Sequence, residues 1–551
     1  MENSKNSLVR LIVKGVDKCK SNFDKKTGRF LAENGGWAVT NQDVIFPLSY
    51  LYVNKHPENP YYKNDEILNL CFCGGDALRN AQDADGKVEF VKIDGSKWGK
   101  TYMCWSMFHW LETFRLLKNF LPSERANSWQ EGLYIAFEGI FKELQKSKVH
   151  NIPTWNAMAI FKAGLTFQNE KWQKYAKEFI KKVVKSMNPD GYWQEGQGPT
   201  TSYNLVYVHS LGLYYCASKD EFVIPSLKTA TNFHIHFTYP DGSLVETIDG
   251  RVKYNSNPSC MGLPGFLTTE KGKRFSAFLV KNLCLKNPKG LCSPYLTSAL
   301  EIWPDEIKPK DKIIQELTEY SRVYNGNAIV RKHKNFYTCL SGYVAPAKIQ
   351  SELSNNRWIQ DRSNFVSIWY KLCGLIIGGG NSKEQPTWAN FSLWKGTFRL
   401  WCPDASQVFS KENEDKVILD FAGTKCSISV RFSGEKQVKI MFEVIKFSGA
   451  DKIQSSLLLC LEKGTRVKCG KYKFIVDPIY SEVIFVKKSQ TIQTKHYLIK
   501  SLKKHTFFYW PEYPFNPYAI NGASPPESAR GKLIFELTSK SPKNEILIRV
   551  K

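Results

Sequence analysis

The residues best placed for chemistry lie where a polar loop runs into an apolar helix, in the stretch DGYWQEGQGPTTSYNLVYVH from Asp190 to His209. Its opening Asp-Gly pair is a turn signal that ends the preceding helix. Tyr203 stands where the loop re-enters a helical run, so its phenol should be partly sheltered and still reachable from a cleft. Because a phenol so placed can give or take a proton, Tyr203 is the candidate chemical centre.

Two further polar clusters interrupt the same half of the chain. The first, HNIPTWN, runs from His150 to Asn156 and precedes an apolar helix. The second, DGSLVETIDGRVKY, runs from Asp241 to Tyr254. It is rich in turn residues and lacks apolar periodicity, which predicts a groove position for Arg251.

Composition bounds the size of the protein and the charge of its partner. A chain of 551 residues predicts two or three domains. The 77 Lys and Arg residues exceed the 52 Asp and Glu residues, and the resulting formal charge of +25 favours a polyanionic partner. Because no zinc finger, basic helical arm or RNA-binding aromatic signature is present, nucleic acid is disfavoured and an acidic polysaccharide is expected.

Other classes of site and location are constrained by what the sequence lacks. The 14 cysteines show no repeating spacing, which predicts mostly buried thiols and no zinc site. No cofactor is expected, and a divalent cation is allowed for only as a structural addition. Without an apolar run of spanning length, no membrane partner is expected. The polar N-terminus predicts a cytoplasmic protein, or a periplasmic or extracellular one if a signal peptide was removed. Oligomeric state is left open.

The hydrophobic period changes once along the chain. Residues 1–325 read as paired amphipathic helices, most strongly at 103–121, MCWSMFHWLETFRLLKNFL. Residues 326–551 read as short strands of period two, separated by turn residues. This order predicts an α+β multidomain protein, with a helical domain followed by an antiparallel sandwich.

Two motifs carry a family resemblance. Asn151, followed by an apolar helix ending in Ala163-Gly164, resembles the heparinase II/III-type polysaccharide lyases. Asp190-Gly191, Glu195 and Tyr203 are similar to the Asp-Gly, Glu, Tyr-His segment of that family. The motifs cover a small part of the chain, whereas the order of helices and strands agrees over most of it.

The resemblance implies an (α/α) toroid followed by a β-sandwich, and β-elimination on a uronic-acid polysaccharide such as alginate, glucuronan or a glycosaminoglycan. It gives Asn151, assisted by Arg251, the task of neutralising the C5 carboxylate, and Tyr203 that of base, acid or both. A free tyrosine has a pKa near ~10, so a basic tyrosine needs cationic neighbours. Arg251 and Lys253 could supply that field, and Tyr254 could share the proton transfer.

The chain departs from the family pattern at its histidines. The family's His after the Asn is Ile152 here, and the residue after the candidate Tyr is Asn204. The stretch RWIQDRSNF also lacks the histidine that relatives place in the sandwich. Gln360, Arg357 or Arg362 could replace it as a carboxylate or sulfate contact. The missing histidines favour a single tyrosine acting as both base and acid.

The predicted substrate contacts are His150, Asn156, Glu195, Asn204, Lys253, Gln360, Arg362 and Trp105. Ordinary structural roles compete with these assignments. Asn151 is a suitable N-cap for a helix that begins near Pro153. Tyr203 could be a helix-face aromatic, Trp105 a core residue, and Glu195 the acceptor that orients a donor or caps a loop.

Two other functions remain as alternatives. A glycoside hydrolase on the same toroid would use two carboxylates from Asp190, Glu195, Glu246 and Asp249. A non-catalytic polyanion-binding protein would need only charge and aromatic surface. The glycine triplet at 378–380 lacks a GxxxxGK pattern, which predicts a turn and not a phosphate loop.

Overall fold

A computed structural model describes residues 4–31, 39–91, 96–307, 311–345, 355–450, 452–479, 483–486, 491–503, 505–519 and 521–551. The chain forms two compact units that each use separate segments. The first comprises Met1–Trp193, Tyr203–Asn232 and Asn257–Asp311, and the second comprises Gln194–Ser202, Phe233–Ser256 and Lys312–Lys551. The domain boundary placed between residues 325 and 326 stays a prediction.

Helices dominate the first half of the chain, as the apolar periodicity predicted. They are α1 (Ser4–Lys14), α2 (Val16–Ser21), α3 (Ile45–Val53), α4 (Asp65–Ala81), α5 (Cys104–Leu117), α6 (Ser123–Gln145), α7 (Asn151–Thr166), α8 (Glu170–Lys185), α9 (Thr201–Ser218), α10 (Ile224–His236), α11 (Leu263–Phe266), α12 (Glu270–Lys286) and α13 (Pro294–Glu301). Two short hairpins pair β1 (Phe23–Asp24) with β2 (Arg29–Phe30) and β3 (Val88–Val91) with β4 (Lys97–Thr101). No helix in the described ranges is long and apolar enough to cross a bilayer.

Helices α5 and α7 are neighbours that run in the same direction. The rings of Trp105 and Trp155 stack at 5.3 Å near the start of both helices. Further along both, Lys162 Nζ lies 2.8 Å from a carboxylate oxygen of Glu112. Contacts that advance in the same sense along two helices require them to be parallel. Because α6 lies between them in sequence and returns the chain, every second helix belongs to one inner layer.

The same inner layer includes α9 and α13. Trp155 stacks on His209 at 5.6 Å, and Phe161 contacts Tyr214 at 4.9 Å, so α7 and α9 are parallel. The ring of Tyr295 in α13 lies 5.7 Å from that of His209 and 6.2 Å from that of Trp155. Parallel inner helices connected by returning outer helices form the (α/α) toroid.

Aromatic side chains from four inner helices meet in one layer at the centre of this toroid. The His109 ring lies 6.0 Å from Trp155 and 5.5 Å from Tyr295, while His209 contacts both of those aromatic residues. His109, Trp155 and His209 are fully buried. Burial lowers the pKa of His209 to about 3, so this imidazole is neutral and packs as a core ring.

The second unit contains the long run of strands. They are β5 (Glu319–Tyr324), β6 (Ala328–His333), β7 (Phe336–Ser341), β8 (Val366–Tyr370), β9 (Gly374–Ile377), β10 (Phe391–Lys395), β11 (Phe398–Leu400), β12 (Ala405–Ser410), β13 (Glu414–Phe421), β14 (Thr424–Phe432), β15 (Gln437–Lys446), β16 (Lys452–Leu459), β17 (Arg466–Cys469), β18 (Tyr472–Ile475), β19 (Ile484–Val486), β20 (Thr491–Gln493), β21 (Tyr497–Ser501), β22 (Thr506–Glu512), β23 (Arg530–Leu537) and β24 (Lys543–Val550).

These strands build two antiparallel sheets. The first has the order β19-β22-β23-β16-β9-β8-β7-β6-β5, with β10 pairing β16 and β11. The second has the order β12-β13-β14-β15-β24-β21-β20-β17-β18. Alternate residues of β13 and β15 are buried, which is the pattern of sheets with one face in a core. Phe442 of the second sheet contacts Phe391 at 5.5 Å and Phe535 at 5.2 Å in the first, so the sheets form a sandwich.

The central strands β7 and β8 are buried on both faces instead of one. Phe336 and Ile368 belong to the sandwich core. Tyr337 and Trp369 point to the opposite face, where the Tyr239 ring lies 5.7 Å and 6.4 Å from them. Cover from the segment 233–256 explains why these strands read as continuous apolar runs.

Candidate active site

Asn151 begins α7, and its side-chain oxygen is held by the backbone. Its Oδ1 accepts a 2.7 Å hydrogen bond from the Ile152 N–H and lies 3.2 Å from His150 Nδ1. Because a backbone N–H can only donate, the atom facing it must be the oxygen, and the Nδ2 group points elsewhere. Nδ2 donates to no atom in the described part of the chain. The carboxamide is therefore oriented with its N–H groups available to a ligand.

The helix starts at Asn151 itself and not near Pro153, which bears on the capping role considered for Asn151. The N-cap position is His150, whose side chain makes no capping hydrogen bond. Asn151 is 6% exposed, whereas the adjacent Ile152 is 43% exposed. Apolar periodicity begins only where the helix face packs, so it misses a polar first turn.

Tyr203 lies in the first turn of α9, the neighbouring parallel helix, at the same end. Asn151 precedes the contact residue Trp155 by four positions and Tyr203 precedes His209 by six, so they lie about 6 Å and about 9 Å before that contact along their axes. Packed helix axes are roughly 8–10 Å apart. Tyr203 is partly buried, in keeping with the sheltered position expected from the sequence. The starts of α7 and α9 therefore lie at nearly the same level in adjacent helices.

The start of α5 lies at this end as well. Trp105 is the second residue of α5, is partly exposed, and stacks on Trp155. The first turns of α5, α7 and α9 contain no acidic residue. Each helix start carries a partial positive charge from its unpaired N–H groups. At α9 this charge is compensated, because the Thr201 N–H donates to Asp249 Oδ2 at 2.6 Å. The starts of α5 and α7 have no carboxylate in their own first turns and favour an anionic ligand.

Asn204 follows Tyr203 and anchors the loop before it. Its Oδ1 accepts from the Trp193 N–H at 3.1 Å, and its Nδ2 donates to the Gly191 carbonyl at 3.3 Å. Asn204 is fully buried, and the Trp193 ring stacks on Tyr207 at 4.9 Å. These contacts fix the approach of the loop to α9, which is a positioning task.

His150 and Asn156 differ in accessibility. His150 is exposed, and its contact with Asn151 Oδ1 requires a hydrogen on Nδ1. Asn156 is 5% exposed, and its Oδ1 is a buried acceptor without a partner within the described ranges. The substrate contacts assigned to both residues stay predictions.

In the second unit, Arg251 is paired with Glu195. Arg251 Nη1 lies 3.1 Å from Glu195 Oε2, and both side chains are largely buried. The Arg251 backbone N–H also donates to Asp249 Oδ1 at 2.7 Å. Glu195 therefore compensates much of the charge that Arg251 would offer a carboxylate, and it orients the guanidinium.

Lys253 and Tyr254 are both perturbed by burial. Lys253 Nζ donates to Gln360 Oε1 at 2.9 Å, and desolvation lowers the pKa of Lys253 to about 7. Near neutral pH this amine is charged only part of the time, so the cationic field expected from it is weak. Burial raises the pKa of the Tyr254 phenol, which keeps it protonated. Tyr254 is thus suited to donating a proton and not to removing one.

Arg362 holds backbone carbonyls of its own unit. Its guanidinium donates to the carbonyl oxygens of Gln197 at 2.6 Å, Ile248 at 2.7 Å and Pro199 at 2.9 Å. A Cβ on Gly250 would lie 2.8 Å from Nη2 of this arginine, which explains a glycine there. These bonds fix the two loops. The substrate contact predicted for Arg362 stays a prediction.

Two of the four carboxylates considered for a hydrolase are used inside the fold. Glu246 accepts from the Gly379 N–H at 3.0 Å and from the Tyr239 hydroxyl at 3.0 Å. Asp249 accepts from the backbone N–H of Thr201 at 2.6 Å and from that of Arg251. The N–H of Gly379 therefore serves a protein carboxylate, which agrees with a turn at the triplet.

A cavity in the second unit is lined by both predicted and unpredicted side chains. Gln360 and Arg362 were predicted as contacts, whereas Lys383, Arg399 and Trp401 were not. Lys383 follows β9, Arg399 lies in β11 and Trp401 follows it, and none of the three matches a motif, so only the fold brings them together. Across the described residues there is no cluster of three His, Cys, Asp or Glu side chains that could hold a metal ion, and the cofactor expectation stays a prediction.

Comparisons with known proteins agree with this architecture. Residues 37–252 match the family model of the ulvan lyase N-terminal domain. A solved heparinase III is similar over 100% of this chain and 85% of its own, with a TM-score of 0.53 and 13% identity. A chondroitin AC lyase of Streptomyces coelicolor A3 is similar over 98% of this chain and 79% of its own, with a TM-score of 0.55 and 10% identity.

A search of curated proteins gives no significant match. At these identities the solved structures establish the fold, a toroid followed by a β-sandwich, and the family model adds a match in the helical half. Together they show that the chain has this fold and that its residues 37–252 are similar to the ulvan lyase N-terminal domain.

Proposed function

We propose that the chain cleaves a uronic-acid-containing acidic polysaccharide by β-elimination, with Asn151 and Tyr203 as its central residues. The chemical difficulty is the C5 proton, which is a weak carbon acid because it lies next to a carboxylate. Donors on that carboxylate stabilise the enolate-like charge that forms as the proton leaves. Asn151 supplies such donors in this proposal.

The observation that carries the proposal is the orientation of the Asn151 carboxamide. Its oxygen is held by the Ile152 N–H, and its Nδ2 group has no partner among the described residues. A neutral donor fixed in this way at a positive helix end fits a carboxylate. The assisting role of Arg251 stays a prediction; its guanidinium is paired with Glu195.

Tyr203 serves as both base and acid in the proposed step. Its phenolate oxygen takes the C5 proton, a C4–C5 double bond forms, and the bond from C4 to the glycosidic oxygen breaks. The electron pair of that bond goes to the leaving oxygen, which then receives the proton from the Tyr203 hydroxyl. A single residue on one face of the sugar gives a syn-elimination, and it requires no histidine.

The proposed substrate class is an acidic polysaccharide. The matching family model is named for ulvan lyases, and the two similar structures are a heparinase III and a chondroitin AC lyase. A formal charge of +25 and the positive starts of α5 and α7 favour a polyanion over a neutral glycan. Ulvan, chondroitin sulfate, heparan sulfate, alginate and glucuronan form the appropriate test panel.

The test is to incubate the protein with each polysaccharide and follow the ultraviolet absorbance of an unsaturated uronate. Lyase action gives this absorbance together with new chain ends, whereas new reducing ends without it would mean hydrolysis. Binding without either product would support a polysaccharide-binding protein instead.

Tyr203→Phe should abolish turnover on the active substrate and leave binding nearly unchanged, because only the hydroxyl is lost. The matched control is Tyr215→Phe, a partly buried tyrosine twelve positions further along α9, or about 18 Å along the axis. Turnover retained in Tyr203→Phe would reject the single-tyrosine mechanism.

A further inference from the structure

The second unit contains a cavity of about 390 Å³ whose wall combines apolar and polar side chains. Ile359, Leu400 and Trp401 supply apolar surface, and Gln360 and Arg399 supply hydrogen-bond donors. Cavities of this size and mixture are typical of small-ligand sites, where a few polar groups fix the orientation of the ligand.

Gln360 brings an unpaired donor to this cavity. The side chain is 3% exposed, and its Oε1 accepts from Lys253 Nζ at 2.9 Å. Because Lys253 Nζ donates to the amide oxygen of Gln360, the amide nitrogen Nε2 faces away from Lys253. Nε2 is buried and has no hydrogen-bond partner in the part of the chain described. A buried donor left in this state is unfavourable. Gln360 is one of the residues that line the cavity, so the unpaired donor belongs to its wall.

Arg399 brings an uncompensated positive charge. Its guanidinium lies 4.4 Å from the Trp394 ring, and its Nε donates to Ser392 Oγ at 2.6 Å. No carboxylate pairs with it in the described ranges, and desolvation lowers the pKa of this arginine without an opposing acidic neighbour. Its terminal N–H groups are thus free to bind an anion in a two-pronged manner.

The other charges of the wall are already matched. Asp361 Oδ1 lies 3.5 Å from Lys383 Nζ, and Oδ2 accepts from the Trp401 Nε1–H at 3.1 Å and from the Glu384 N–H at 2.6 Å. The Trp401 indole is therefore held in place by a hydrogen bond. The Glu384 side chain is exposed and lies at the rim. Arg399 and Gln360 are the unsatisfied groups.

We propose that this cavity binds one anionic sugar residue of the polysaccharide, with Arg399 on its carboxylate or sulfate, Gln360 on a neighbouring oxygen, and Trp401 against the apolar face of the ring. Aromatic rings suit sugar faces because they combine apolar surface with a polar edge. The inference rests on the proposed function for the chemical class of the ligand only. It makes Arg399 a specificity-determining residue that the sequence motifs do not include.

The test measures binding of tetrasaccharides from the five panel polysaccharides by calorimetry. The full chain carries Tyr203→Phe so that the ligand is not consumed. Adding Arg399→Gln should weaken binding of the best tetrasaccharide about 10-fold, the effect of losing one charge-assisted contact. Arg399→Lys keeps the positive charge but cannot donate two parallel hydrogen bonds, so it should lose less affinity than Arg399→Gln. The matched control is Arg322→Gln, which removes an exposed guanidinium that also lies over a ring, Tyr324, at 5.3 Å.

Carboxyl-reduced and desulfated forms of the same tetrasaccharide identify the anion that Arg399 binds. The tetrasaccharide form that lacks this anion should bind with equal affinity to the Tyr203→Phe parent protein and to the same protein with Arg399→Gln added. The inference would be overturned if Arg399→Gln and Arg322→Gln lost affinity equally, or if Arg399→Gln lost none. It would also be overturned if the parent protein bound no tetrasaccharide. Lyase activity of the unmodified chain tests the proposed function separately, because it does not depend on the Arg399 comparison.

Discussion

Asn151 offers the sharpest test because its two side-chain atoms have different partners. Asn151→Asp keeps an oxygen acceptor for the Ile152 N–H and removes the Nδ2 donors. It also places a negative charge where the proposed substrate carboxylate binds. Asn151→Ala removes both atoms. The two substitutions therefore separate the role of the residue in the helix start from its role in catalysis.

The expected magnitudes follow from these contacts. Loss of one preorganised donor to a developing oxyanion costs roughly 10²–10³ in kcat, and Asn151→Ala should lie in this range. Asn151→Asp should have a still lower kcat, because its carboxylate would then face the carboxylate of the substrate. Loss of a side-chain acceptor at a helix start costs about 1 kcal/mol, which lowers Tm by roughly 2–4 °C for a unit of this size. Asn151→Asp should keep or raise Tm, since a carboxylate at a helix start is favourable.

The assay combines initial rates of absorbance increase with thermal unfolding of the same preparations. The prediction is an inactive Asn151→Asp protein whose Tm equals or exceeds that of the parent. Substantial activity in Asn151→Asp would refute the role of Nδ2 as a carboxylate donor. A large fall in Tm for both proteins would instead make the residue a structural cap.

Two further predictions concern the second unit. Arg362→Met should lower the free energy of unfolding by roughly 2–4 kcal/mol, because three buried carbonyls lose a charged donor. Urea unfolding measures this loss. An unchanged midpoint would show that Arg362 does not fix the loops. Lys253 has a pKa of about 7 in the folded protein and an ordinary pKa of 10.5 in the unfolded chain. Between these two pH values the unfolded chain binds more protons than the folded protein. The contribution of Lys253 to the free energy of unfolding therefore rises with pH across that window. The Tm of the parent minus that of Lys253→Met should therefore increase from pH 7 to pH 10, and a constant difference would show that the amine does not titrate in the folded protein.

The sequence predicted the elements well because their periodicity is local. The helix Cys104–Leu117, inside the predicted range 103–121, and the alternating strands around Val417 and Phe442 follow directly from side-chain spacing. It placed Asn151 ahead of an apolar helix, but it could not show that the helix begins at Asn151 itself, since a polar first turn carries no apolar signal. The orientation of the Asn151 amide depends on the position of one backbone N–H, which the sequence does not show.

Other features depend on contacts between distant segments. Nothing in the order of residues shows that α7 and α9 are parallel neighbours, which the pairs Trp155–His209 and Phe161–Tyr214 establish. Arg362 illustrates the same difficulty in reverse. An arginine in a polar stretch suits an anionic ligand or backbone carbonyls equally well, and only the folded loops decide between them.

The central layer of His109, Trp155, His209 and Tyr295 has a consequence for how a polymer can be handled. Rings from α5, α7, α9 and α13 pack against one another at that depth, so side chains fill the interior of the first unit there. In the proposed reaction, a sugar bound at the starts of these helices would therefore have packed side chains beneath it, and both products would leave on the side from which the substrate entered.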